Sequence, residues 1–144
     1  MTETPTRHLT LLKRALIANA LFSSISAVVF IGAAGAVARL VGAAPADIAS
    51  TGSGLILFVA MILIVLTRPD LLKRWVLGLA VAIAALDVLW VAITPINIAP
   101  YTAAGKGLFG GIALVVAAFA FLQIRGLIGI FRQLRTARSV AAIR

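Results

Sequence analysis

The sequence predicts an all-α fold: a bundle of four membrane-crossing helices with both termini on the same side. Three observations lead there. Four long apolar stretches, roughly Ala15–Ala38, Ala46–Thr67, Trp75–Thr94 and Gly107–Ile124, alternate with short polar loops. At about 1.5 Å per helical residue, each can cross a hydrocarbon layer of roughly 30 Å. Apolar residues make up 62% of the 144-residue chain and charged residues 12%, more apolar surface than one soluble core of this size can hide. Finally, eleven of the thirteen Lys and Arg residues fall at the amino end, in the second loop or at the carboxyl end, leaving Arg39 and Lys106 in the other two loops. Basic residues in short loops mark the cytoplasmic side, so amino and carboxyl termini are both expected in the cytosol.

Taken in order, residues 1–14 read as a polar, mobile cytoplasmic lead. Lys13 and Arg14 then anchor span one among lipid headgroups. Ala36-Val37-Ala38 has the form of a signal-cleavage site, but the apolar run before it is about twenty residues, beyond the 7–15 of a signal core. Span one is expected to stay as a helix, with Gly32 and Ala36 as a small-residue packing pair. Continuous apolar sequence in span two begins only at Leu55. Pro45 and Asp47 nevertheless form a helix start, with proline in the first turn and an acid facing the positive helix end. The Ser, Thr and Gly residues of 48–54 then need protein or water beside them.

Thr67-Arg68-Pro69-Asp70 reads as the turn into span three, where Trp75 takes an interfacial position. Thr94-Pro95-Ile96-Asn97 closes that span. Span four opens near Gly107, with Gly107 and Gly111 as a GxxxG pair, and continues to about Phe131. The domain reading is thus a lead at 1–14, a four-helix membrane domain at 15–131 and a basic cytoplasmic tail at 132–144.

Composition narrows the function. The net charge of +9 is explained by membrane topology, and no aromatic residues interleave with the basic ones to stack on bases, so nucleic-acid binding is not expected. With no Cys, the chain has neither disulfides nor thiolate metal sites. Its single His, His8, precedes the spans, so no haem ligand lies within them. No metal and no cofactor is expected. Attraction of Arg125, Arg132, Arg135, Arg138 and Arg144 to an anionic inner leaflet, about 1 kcal/mol per residue, accounts for the basic tail.

Asp87 is the one charge deep inside a span, where an ionised side chain costs about 2.5 kcal/mol or more. Its first expected role is structural, joined to a serine or a backbone carbonyl between helices. The alternative is a ligand site. Counting inward from the flanking charges places Asp87 in the outer half, at the depth of Ser26, Ser50 and Ser53. Trp90 lies three residues on, along the same helix face, and Thr94 one turn further. An acid beside an aromatic ring suits a small cation or a lipophilic amine. The same count puts Asn19 and Gln123 near the inner edge, where their amides are expected to hydrogen-bond across the bundle. No second acid, His or activated nucleophile accompanies Asp87 in the spans, so an enzyme, for instance one acting on an isoprenoid-like lipid, is the least favoured reading.

The segments Asn19-Ala20-Leu21-Phe22-Ser23 and Asp87-Val88-Leu89-Trp90-Val91 resemble those of small bacterial four-helix integral membrane proteins, a resemblance that implies no activity. Size and span count are similar to the small multidrug exporters, whose first helix carries an essential Glu; span one here has no acid. The helix layout is also similar to that of DoxX-like proteins. The functional expectation is a structural or accessory bundle of a bacterial cytoplasmic membrane, as a homo-oligomer or within a larger complex. Binding or transport of a small cation or lipophilic amine is the alternative.

Overall fold

A computed structural model describes residues 4–141, and within them every regular element is an α-helix. Five helices follow one another: α1 (Thr4–Gly32), α2 (Ala34–Val41), α3 (Pro45–Leu66), α4 (Arg74–Asn97) and α5 (Ala103–Ala141). All but α2 are long and apolar enough to cross a membrane. Arg144 and the rest of the final three residues lie outside the described residues, as do Met1, Thr2 and Glu3.

Several expected boundaries differ. Helix α5 opens at Ala103 rather than near Gly107 and runs without a break through the basic segment from residue 132 to Ala141. The polar lead from Thr4 to Arg14 is a continuous part of α1. Its helical state has a packing cause: Leu12 and Leu16 are fully buried, and His8 lies over Gly129 of α5 so closely that any side chain at that glycine would overlap the imidazole. Gly126 receives Leu12 in the same way, with a Cβ there 3.1 Å from that of Leu12. Span one, by contrast, does not run unbroken to Ala38. It breaks at Ala33, and among the described residues nothing from another helix lies within 4 Å of where a Cβ would stand at Gly32. Gly32 and Ala36 therefore stand on separate helices. The close approach of α1 to α3 occurs instead at Gly52, where a Cβ would meet Ile31 at 2.7 Å and the Ala27 carbonyl at 3.2 Å.

Local chemistry sets the connections. Gly42 ends α2 in the left-handed region (φ 76°), and its N–H returns to the Ala38 carbonyl at 2.9 Å, a closure that a side chain would strain. Pro45 and Asp47 stand in the first turn of α3, as the sequence suggests. In the α3–α4 turn, Asp70 Oδ1 accepts from the Leu72 N–H at 3.0 Å, Leu71 is driven inward, and the Arg68 guanidinium stacks 5.2 Å from the Trp75 ring. Thr102 knots the opposite end. Its hydroxyl donates to the Leu40 carbonyl at 2.7 Å and accepts from the Gly105 N–H at 3.0 Å, capping α5, while its own N–H bonds the Val41 carbonyl at 3.0 Å.

Helix α1 lies against both α3 and α5, and α4 lies against α5. The sequence neighbours α3 and α4 touch far less, so the bundle has one thin seam. Toward the basic end, which carries the start of α1, the α3–α4 turn and the final turns of α5, a dense core of Leu12, Leu16, Ile62, Val76, Ile83, Leu127 and neighbours fills the interior. Toward the opposite end a smaller cluster of Phe30, Ala38, Val41, Ile48 and Phe109 closes the bundle. Between the two clusters lie the polar residues.

Candidate functional site

Asp87 is 4% exposed, and Asn19 and Gln123 are fully buried beside it. Asn19 Nδ2 donates to Asp87 Oδ2 at 2.7 Å, and Gln123 Nε2 donates to the same oxygen at 2.9 Å. Ser23 Oγ donates in turn to Asn19 Oδ1 at 3.2 Å. Three helices thus close on one carboxylate oxygen. Each amide–carboxylate bond replaces water that hydrocarbon cannot supply, and such interhelical bonds contribute roughly 0.6 kcal/mol on average in membranes, up to about 1.7. Gln123 Oε1 is buried with no hydrogen-bond partner among the described residues.

This meeting corrects the depth assigned from charges. Asp87 lies thirteen residues from Arg74 but Asn19 only five from Arg14, and yet they touch. The basic anchors are therefore offset by eight residues, about 12 Å of helical rise. Long basic side chains reach the headgroups from different depths, so they do not mark one plane. Asn19 of α1 and Gln123 of α5 are joined through Asp87 of α4.

Asp87 also lines a cavity of about 570 Å³ on the side away from the dense core. Its back wall is α1 (Phe22, Ser23, Ser26, Phe30), its flanks are α3 and α4, and Ile112 and Val116 of α5 complete it. Leu57 and Leu89, from the two sides of the α3–α4 seam, are 74% and 54% exposed, so the cavity opens sideways where those helices part. Its volume falls within the roughly 300–1,000 Å³ of small-molecule sites.

Of the residues singled out from sequence, Asp87, Trp90 and Ser26 come together on this cavity. Thr94 is buried one turn beyond, its hydroxyl donating to the Trp90 carbonyl at 2.7 Å. Ser50 and Ser53 stand on the exposed side of α3, Ser53 donating to its own helix at the Ala49 carbonyl; Thr51 and Gly54 occupy the cavity wall instead. Among the described residues, nothing from another helix lies within 4 Å of where a Cβ would stand at Gly107 or Gly111. Sequence reasoning missed Phe22, Ser23, Phe30, Phe58 and Met61 as cavity residues. A signal for the first three exists: they recur at helical spacing on α1, on the face that holds Asn19 and Ser26.

Among the described residues, no group of three or more His, Cys, Asp or Glu side chains is placed to hold a metal ion. Compared with known protein families, with curated proteins and with solved structures, the chain matches none.

Proposed function

We propose that this chain is a small polytopic protein of a bacterial cytoplasmic membrane, both termini in the cytosol, that works as a structural or accessory bundle by associating with itself or with a larger membrane complex. One observation carries the reading: α5 packs against α1 and α4, yet Gly107 and Gly111 stand on one helix face with nothing from another helix among the described residues against them. A glycine face lets another helix come close enough for backbone and side-chain contact, the main source of helix association in lipid. The carboxylate lock supports the same reading, because it holds α1, α4 and α5 as one unit before any partner arrives. The single deep acid has two interhelical amides on one oxygen and no second acid or base beside it, which suits a scaffold better than an enzyme.

The test is association in lipid. Energy transfer between labelled copies in vesicles, measured against protein dilution, is expected to report self-association that Gly111→Leu weakens by about tenfold, equivalent to about 1.4 kcal/mol. If the wild type is monomeric at every dilution and purifies in mild detergent without a stoichiometric companion, the proposal fails.

A further inference from the structure

We propose that the cavity beside Asp87 is a binding site for a lipophilic amine, whose ammonium group meets the free face of the Asp87 carboxylate while its apolar body fills the space between α3 and α4. This inference stands apart from the assembly reading, since it concerns the interior of a single copy.

The argument begins with the two carboxylate oxygens. Both amide donors end on Oδ2, and Asp87 in addition lines the cavity, which leaves Oδ1 as the oxygen available to an occupant. Among the described residues, Asp87 is the only charged one lining the cavity, so no cation of the chain is seen to pair with it there. An acid in an apolar chamber is the costly arrangement for a membrane protein, and an ammonium partner removes the lone charge by forming a pair. Trp90 and Phe22 line the same cavity, and aromatic rings attract a cation. Ser26, less than fully buried and on the same wall, supplies an acceptor for a second ammonium N–H.

The remaining walls choose between ligand classes. Phe30, Phe58, Met61 and Ile93 are apolar, and they cannot replace the hydration shell of a bare metal cation. A neutral hydrocarbon chain would fit those walls but leave the acid unserved. An anionic lipid headgroup would be repelled. An amine with an apolar body satisfies both parts of the chamber, and the exposed seam at Leu57 and Leu89 opens toward the membrane in which such a molecule dissolves.

The experiment uses the full chain in lipid nanodiscs, with Trp75→Phe leaving Trp90 as the single tryptophan, excited selectively at the red edge of its absorption. The probe is 3-(4-bromophenyl)propylamine, whose bromine quenches tryptophan on contact, and the control is the corresponding alcohol. Saturable quenching is expected, with the amine at least tenfold tighter than the alcohol, a preference of about 1.4 kcal/mol. In Asp87→Asn the amide carbonyl can take the place of Oδ2 and keep both hydrogen bonds, so the bundle is retained and the amine preference is expected to fall to about onefold. Ser26→Phe, which leaves Asp87 untouched and projects a ring into the chamber beside it, is expected to abolish saturable quenching by both molecules. Linear, equal quenching by amine and alcohol would overturn the proposal, as would an amine preference unchanged in Ser26→Phe. Should Asp87→Asn fail to fold, the amine–alcohol comparison and Ser26→Phe still decide the matter.

Discussion

The two halves of the bundle use the same kinds of residue to opposite effect. Toward the basic end, Leu12, Leu16, Ile62, Val65, Val76 and Ile83 are buried almost without exposure, and glycines at 126 and 129 bring α1 and α5 into contact. Beyond the Asp87 layer, α3 and α4 separate, and Leu57, Leu86 and Leu89 face outward around a hollow. The difference lies in where small residues sit relative to large ones. Glycine opposite a side chain closes a gap; glycine opposite nothing, as at Gly54, leaves one. Since lipid is as apolar as leucine, hydrophobicity alone does not choose between these outcomes; shape and hydrogen bonding do.

That contrast can be broken experimentally, starting with the layer that divides the halves. Asp87→Leu removes the shared acceptor and leaves two buried amides without it. A loss of about 3 kcal/mol is expected, measured as the midpoint of unfolding in mixed micelles, with unpaired buried donors the cause. Restoring part of that loss by adding Asn19→Leu and Gln123→Leu in the same chain would identify the amides as the source. Next come truncations on each side. Leu16→Ala in the dense half is expected to cost about 2 kcal/mol, whereas Phe58→Ala on the cavity wall should cost less than about 1, because that ring already borders empty space. Equal losses would erase the distinction between solid and hollow halves. The smallest effects separate the glycines. Gly129→Ala must displace His8 and is expected to destabilise by about 1 kcal/mol, while Gly111→Ala meets nothing within the chain and should gain a few tenths from helix propensity. A common sign for both would contradict the packing described.

How much of this was legible beforehand depends on the length scale of the signal. The long apolar helices could be read because a membrane imposes a run of about 20 residues on each. The start of α3 was legible from Pro45 and Asp47, and the amides of Asn19 and Gln123 announced themselves as interhelical partners. Their convergence on Asp87 was not legible, because the ruler laid from Arg14 and Arg74 assumed that basic residues mark one plane. The break at Ala33 gave no warning either: Gly32-Ala33-Ala34-Gly35 is as compatible with a helix as with a bend, and only the fit of Phe30, Ala38 and Val41 against Ile48 and Phe109 decides it. The cavity lies further still from the sequence. It is made by the parting of two helices, and no residue in its wall encodes that separation alone.

The length of α5 has one more consequence. At 39 residues it extends about 58 Å, nearly twice the hydrocarbon thickness, without a kink-forming proline. The same stiff rod carries Ile112 and Val116 at the chamber, Gln123 at the lock and Arg132 with Arg135 at its far tip. Lock, chamber wall and basic tip are thereby ordered along one continuous axis, with no loop between them to absorb a displacement of any one.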